Sequence, residues 1–110
     1  MRAPLPGAPV RGSRSGRPIM AALDLLGRRA ALRIIWELRA GPLNFRALQQ
    51  AADTNPALLN TRIKELRDAG LLAHGDSGYY LTALCGELQG LMQPINAWAE
   101  RWARSLTRAR

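Results

Sequence analysis

NPALLNTRIKELRDAGLL, residues 55–72, contains the clearest helix-start and helix-stop signals in this sequence. Asn55 is a favoured N-cap residue, and Pro56 takes the first helical position, where the missing N–H of proline is tolerated. Apolar residues recur every three or four positions and define one buried face, formed by Leu59, Ile63 and Leu66. Gly70 favours termination. The stretch therefore predicts an amphipathic helix that ends near Ala69.

Three more helices are predicted on the N-terminal side of this stretch. Residues 20–26 form a short helical segment. A longer helix, about residues 28–39, has an inner stripe at helical spacing formed by Ala31, Ile34, Ile35 and Leu38. The Gly41-Pro42 pair ends it, and Asn44 is a candidate N-cap for a short helix over residues 45–51.

On the C-terminal side, two short strands and a long helix are predicted. Residues 71–74 and 79–82 are typical of a hairpin around the turn 75–78. The final helix runs from Ala83 to at least Leu106, and its apolar residues follow alternating four- and three-residue steps: Leu84, Leu88, Leu91, Ile95, Trp98 and Trp102. This order of elements predicts a mainly α (α+β) fold, a winged helix-turn-helix with a short two-stranded wing and a long C-terminal helix.

The net charge of +8 is concentrated at the two ends of the 110-residue chain. Residues 1–20 and residues 101–110 each carry four arginines and no acid, including Arg2 and Arg110, whereas residues 21–100 carry eight basic and eight acidic side chains. Such an excess favours a polyanionic partner, either nucleic acid or an anionic membrane surface. We predict a domain over residues 19–107, preceded by a flexible basic arm over residues 1–18.

Several protein classes are excluded by composition. The chain has no stretch of 18 apolar residues to span a membrane, and its first 18 residues lack the apolar core of a secretory signal. A single cysteine, Cys85, and a single histidine, His74, leave neither an intrachain disulfide nor a zinc set, and they suit a reducing, cytoplasmic location. Because glycine-rich phosphate loops and catalytic triads are missing, we expect no enzyme, metal or cofactor.

The chain from Pro18 to about Trp102 resembles the HxlR-type winged helix-turn-helix regulators, relatives of the MarR group. Three motifs carry the resemblance: GPxxFxxL at residues 41–48, LxxRIxxLxxxGLL at residues 59–72 and PIxxWxxxW at residues 94–102. The resemblance implies a bacterial, nucleoid-associated repressor that binds specific double-stranded DNA as a homodimer. One departure stands out: Arg17 replaces the cysteine that usually precedes the Pro-Ile pair, so thiol sensing at that position is not available.

The exposed side of the helix after Asn55 is the candidate DNA surface. No acid lies between Thr54 and Lys64, and the positive helix N-terminus favours phosphate. Amide, hydroxyl and ammonium groups suit base edges and phosphates. The candidate DNA contacts are Arg46, Asn55, Ala57, Asn60, Thr61, Arg62 and Lys64, with Arg11, Arg14 and Arg17 of the arm as minor-groove or phosphate contacts. Two acids, Glu65 and Asp68, disfavour DNA contact by the second half of the helix, and Asp76 disfavours contact by the wing. The alternative for the arm is that it only confers solubility.

The alternating spacing of the last helix suits packing against another helix, and the resemblance implies a dimer built by the first and last helices. The expected contacts are Leu23, Leu91, Ile95, Trp98 and Trp102. Part of the stripe, from Leu84 to Leu91, is expected to fold back on its own domain. Cys85 is interpreted as a small apolar residue near this seam, with intersubunit redox sensing as the alternative. A pocket lined by Leu91, Trp98 or Trp36 could admit a small apolar effector. The alternative function is a winged-helix protein-interaction module that does not read DNA.

Overall fold

The computed structural model describes residues 3–108, so Arg2 and Arg110 of the charged termini lie outside the described residues. The elements follow the predicted order: α1 Pro18–Leu26, α2 Ala31–Glu37, α3 Phe45–Ala52, α4 Pro56–Asp68, β1 Leu72–Gly75, β2 Gly78–Leu81 and α5 Ala83–Arg108. The predicted mainly α fold with a two-stranded wing and a long C-terminal helix is confirmed. Within this range, no helix is both long enough and apolar enough to cross a membrane.

The two predicted asparagine N-caps are present. The side chain of Asn44 accepts a hydrogen bond from the Ala47 N–H, and that of Asn55 accepts one from the Leu58 N–H, each at 2.8 Å. Each cap satisfies a backbone donor that the first turn of a helix leaves unpaired. Asn55 thereby fixes where α4 begins.

The core lies where α2, α3, α4 and the start of α5 meet. The predicted inner stripes of α2 and α4 are all buried, at 0–2% exposure. The remaining large contributors are Leu25, Leu48, Leu72 and Cys85. Helix α2 is shorter than predicted, because Ala30 adopts a left-handed conformation with φ of 73° and ends the preceding turn. Residues 28–30 are therefore a turn rather than the first turn of the helix.

The wing is a two-residue hairpin that is joined to the rest of the domain. Leu72 pairs with Leu81 and Gly75 with Gly78 in an antiparallel register, each strand lying within one residue of its predicted position. Leu43, in the loop before α3, exchanges two backbone hydrogen bonds with Tyr79, at 2.8 and 3.1 Å. Gly78 is required at this junction, because a Cβ atom there would lie 2.4 Å from the Leu43 carbonyl oxygen.

The N-terminal segment, predicted to be a flexible basic arm, makes contacts with α1. Residues 3–17 fold back on α1, with the Gly7 N–H bonded to the Gly16 carbonyl at 2.9 Å and a short bridge between Val10 and Ser13. The Arg11 N–H donates to Asp24 Oδ2 at 3.1 Å, and Ala3 is buried. Proline and glycine give this segment its turns, and Asp24 provides the attachment point that composition alone did not indicate.

Helix α5 differs from prediction in which residues pack on the domain. Cys85, Leu88 and Met92 contact the core. Leu84 and Leu91 are 58% and 68% exposed, so the expectation that this part of the stripe folds back is wrong except at Leu88. The reason is angular, because residues 85, 88 and 92 share one side of the helix and residues 84, 91 and 95 lie on a neighbouring side.

Candidate nucleic-acid interface

Helix α4 exposes a polar surface that we call the α4 face: Ala57, Asn60, Thr61 and Lys64. These predicted contact residues lie together because Leu59, Ile63 and Leu66 turn the opposite side into the core. The Thr61 hydroxyl donates to the Ala57 carbonyl at 3.1 Å, which leaves its methyl group and its oxygen lone pairs outward. Asn60 and Lys64 are exposed, and within residues 3–108 their side chains make no hydrogen bond or ion pair, so they are available for a base edge or a phosphate.

Glu65 does not oppose DNA as expected, because its carboxylate is buried at 1% exposure. It bonds to the Arg28 guanidinium and, at 3.0 Å, to that of Arg62. Arg28 also bonds to Asp24 at 3.3 Å, so the ion pairs run from α1 through the α1–α2 turn to α4. Of the two acids on α4 that were predicted to disfavour DNA contact, only Asp68 lies at the surface. The sequence did contain a signal for this burial: Arg62 and Glu65 lie three positions apart, a spacing that allows an ion pair on one side of a helix.

Arg62 is the one candidate on α4 that turns inward. Its Nε donates to the Arg29 carbonyl at 2.8 Å, and a terminal nitrogen donates to Glu65 Oε1 at 3.0 Å. These bonds hold α4 against the α1–α2 turn. The geometry therefore gives Arg62 a positioning role and removes it from the α4 face.

The ion pairs alter the titration of Asp24 and Arg28. Burial alone would raise the pKa of Asp24, but hydrogen bonds from Arg28 and the Arg11 N–H, with the charges of both arginines, lower it below its ordinary value. Burial likewise opposes the charge of Arg28, yet its bonds and its attraction to Asp24 and Glu65 raise its pKa. Both groups are therefore charged at neutral pH.

The other predicted DNA contacts are exposed outside α4. Arg46 lies on α3, and Arg11, Arg14 and Arg17 lie in the folded-back arm. At the tip of the wing, Asp76 is exposed as well, while His74 stacks on Tyr79 with ring centroids 4.3 Å apart. The wing thus presents an acidic tip, and its His74 ring packs on Tyr79.

Of the predicted dimer residues, Leu23 lies on α1, where it lines a cleft with Thr61 and Arg62. The other four form a second exposed surface, which we call the α5 face: Leu91, Ile95, Trp98 and Trp102. They are 53–68% exposed, and the two tryptophan rings stack 5.5 Å apart. Beside this face, α1, α5 and the arm enclose an apolar groove of about 340 Å³. Leu91 lines the groove as predicted, whereas Trp98 and Trp36 do not.

Cys85 is a buried core residue. Burial raises the pKa of its thiol to about 11, so the reactive thiolate is scarce at neutral pH. The intersubunit redox alternative therefore loses its support. Among residues 3–108, no group of three or more histidine, cysteine or acidic side chains is placed to hold a metal ion.

Known proteins share this architecture. Quinone-bound YodB from Bacillus subtilis superposes with a TM-score of 0.69 and 30% identity, over 76% of this chain and 96% of YodB. The Mycobacterium tuberculosis MarR family protein Rv2887 superposes with a TM-score of 0.59 and 30% identity, over 80% of this chain and 67% of that one. The chain belongs to the MarR/YodB-type family of winged-helix proteins.

A sequence relative points the same way. The uncharacterized HTH-type transcriptional regulator MJ0925 of Methanocaldococcus jannaschii is 25% identical over 88 residues, which are 76% of this chain and 83% of the relative. No protein-family model matches the sequence. Similarity to regulators supports a DNA-binding regulator and makes an enzyme unlikely.

Proposed function

We propose that this MarR/YodB-type protein is a sequence-specific, double-stranded DNA-binding transcriptional regulator of the HxlR type, acting as a cytoplasmic, nucleoid-associated repressor. The observation that carries the proposal is the α4 face, where Asn60, Thr61 and Lys64 project from α4 and the adjacent acid, Glu65, is buried in ion pairs. In a helix-turn-helix the second helix of the motif enters the major groove, and α3 and α4 form that motif here.

The roles of the α4 face follow from its chemistry. The Asn60 amide can bond to adenine N6 and N7 together, Thr61 can contact a thymine methyl, and Lys64 can contact guanine or a phosphate. Arg46 on α3 and Arg14 and Arg17 in the arm supply charge for the backbone, which fixes position rather than sequence. We assign Asn55 to capping the helix whose N-terminus approaches phosphate.

The proposed regulator is a homodimer joined through the α5 face. Four large apolar side chains, each more than half exposed, favour a second copy of the same surface. Two α4 helices would then read half-sites about one helical turn apart. By analogy with quinone-bound YodB, the neighbouring apolar groove is proposed to take a small apolar effector.

Selection of binding sites from a random duplex pool tests the proposal. We expect an enriched palindrome, and we expect Asn60→Ala and Lys64→Ala each to weaken binding to it by about 1–3 kcal/mol. Asn60→Ala should also relax the base preference at one position of each half-site. Gln93→Ala, an exposed change on α5, is the matched control and should leave the enriched sequence unchanged.

The acidic wing tip favours one alternative, a protein-interaction module on the same fold. A pool that yields no enriched sequence, from a protein shown to be folded, would reject the regulator and favour this module. Enrichment of a palindrome that Asn60→Ala leaves unchanged would keep DNA binding but reject the assigned α4 face.

A further inference from the structure

A cleft of about 550 Å³, lined in part by Met20 and Leu23, lies beside the α4 face, where the arm, α1, the α1–α2 turn and α4 meet. Four arginines from these segments line it: Arg11, Arg28, Arg29 and Arg62. Thr61 belongs both to the lining of this cleft and to the α4 face. The cleft therefore opens where the proposed DNA surface ends.

The cleft has an excess of positive charge. Its four guanidinium groups are balanced by two carboxylates, Asp24 in the lining and Glu65 behind it, which leaves two positive charges. The two carboxylates form ion pairs with Arg28 and Arg62, whose side chains are 9% and 14% exposed. The surplus therefore lies on Arg11 and Arg29, which are both exposed.

Arg29 is held in place through its backbone while its side chain remains available. Its carbonyl accepts the 2.8 Å hydrogen bond from Arg62, which fixes the turn against α4. Across residues 3–108, the Arg29 guanidinium makes no ion pair or hydrogen bond with another group. A guanidinium group on a fixed backbone, with its N–H donors available, is suited to bind an anion through two parallel hydrogen bonds.

The position of the cleft indicates which anion it takes. A duplex whose base edges lie on Asn60 and Thr61 brings its sugar-phosphate backbone to the border of the α4 face, because the phosphates line both edges of the major groove. Thr61 is the residue at that border, and the guanidinium groups of the cleft lie next to it. A backbone phosphate would thus meet two unbalanced positive charges.

We propose that this cleft is a phosphate clamp for the DNA backbone, with Arg29 as the principal ligand and Arg11 beside it. The inference rests on the proposed DNA-binding function and adds a contact that α4 does not make. Its contribution is affinity and register, with no sequence information, because a phosphate is the same at every base pair. The buried Asp24–Arg28–Glu65–Arg62 ion pairs hold the walls of the clamp together.

The test measures duplex affinity against salt concentration for the full-length protein and for Arg29→Gln and Arg11→Gln. Each variant should reduce the slope of log K against log salt by about 0.9, and the double variant by about twice that. Affinity for a selected palindrome and for a scrambled duplex should fall by the same factor. Arg39→Gln is the charge-matched control, because Arg39 lies at the other end of α2 and stacks on Trp36 at 4.1 Å.

Each outcome is decisive. A reduced slope for Arg29→Gln with an unchanged slope for Arg39→Gln supports the clamp. Equal slopes for Arg29→Gln, Arg39→Gln and the natural protein overturn the clamp but leave DNA binding intact, as does a change in base preference without a change in slope. If the natural protein fails to bind any duplex, the proposed function and the clamp are both overturned. Thermal unfolding of each variant confirms that the exposed substitutions leave the fold unchanged.

Discussion

Helices α4 and α5 carry apolar stripes of the same spacing, yet they use them in opposite ways. In α4, Leu59, Ile63 and Leu66 are 0–2% exposed, whereas in α5 the residues Leu91 and Trp98 are 68% and 53% exposed. Helical periodicity therefore predicts that an apolar face will be buried. It does not indicate whether the residues that bury it belong to the same chain or to another. The chain covers the apolar stripe of α4 itself and leaves the α5 face exposed.

The strongest test of this contrast removes the stacked tryptophans of α5. A buried tryptophan removes about 150–250 Å² from water, so at about 25 cal/mol per Å², and with each side chain already half covered, the Trp98→Ala/Trp102→Ala variant should weaken a dimer by at least about 5 kcal/mol. Sedimentation equilibrium should show a dimer for the natural protein and a monomer for the variant. The control, Gln93→Ala, lies on the opposite side of α5 and should remain dimeric. A dimeric tryptophan variant would show that the α5 face is not the interface.

The second test asks whether α4 depends on its own chain alone. In the Trp98→Ala/Trp102→Ala background, Leu66→Ala should lower the free energy of unfolding by about 2–5 kcal/mol, because it opens a cavity at a fully buried site. Leu91→Ala in the same background should change it by less than about 0.5 kcal/mol. Urea unfolding measures both. Equal destabilisation by the two variants would mean that Leu91 packs within its own chain.

Periodicity and capping predicted the parts of the fold that local chemistry determines. The two asparagine caps and the inner stripes of α2 and α4 are confirmed because each depends on residues three or four positions apart. The predicted start of α2 was wrong, because Ala30 adopts a left-handed conformation. That conformation depends on how the α1–α2 turn packs, and an alanine in the sequence does not indicate it. The hydrogen bonds between Leu43 and the wing could not be predicted from local sequence either, since they join segments more than 30 residues apart.

The candidate site was predictable in its position but not in its electrostatics. Asn60, Thr61 and Lys64 share a face because helical geometry places them there. The sequence predicts Glu65 to be an exposed acid, whereas it is buried in an ion pair with Arg28. That pairing joins residues 37 positions apart and therefore depends on tertiary packing. The same packing withdraws Arg62 from the α4 face. Whether α5 binds a second copy is a property of two chains, and the spacing of one chain can only favour it.

The mildest test concerns Asp24, which helps to hold α4 against the rest of its own chain. It lies on α1, and through Arg28 it reaches Glu65 of α4. Asp24→Asn should lower the free energy of unfolding by about 1–2 kcal/mol at pH 7, because a charged acceptor loses its bonds to Arg28 and to the Arg11 N–H.

The pH dependence of this effect identifies its cause. Because the folded-state pKa of Asp24 is lowered, its stabilisation is fully present above the ordinary value of 3.8 and is lost as the pH falls through the lower, folded-state pKa. The natural protein and Asp24→Asn should therefore differ in Tm at pH 7 and converge in strong acid. A difference that persists unchanged in acid would mean that packing, rather than charge, makes Asp24 the link between α1 and α4.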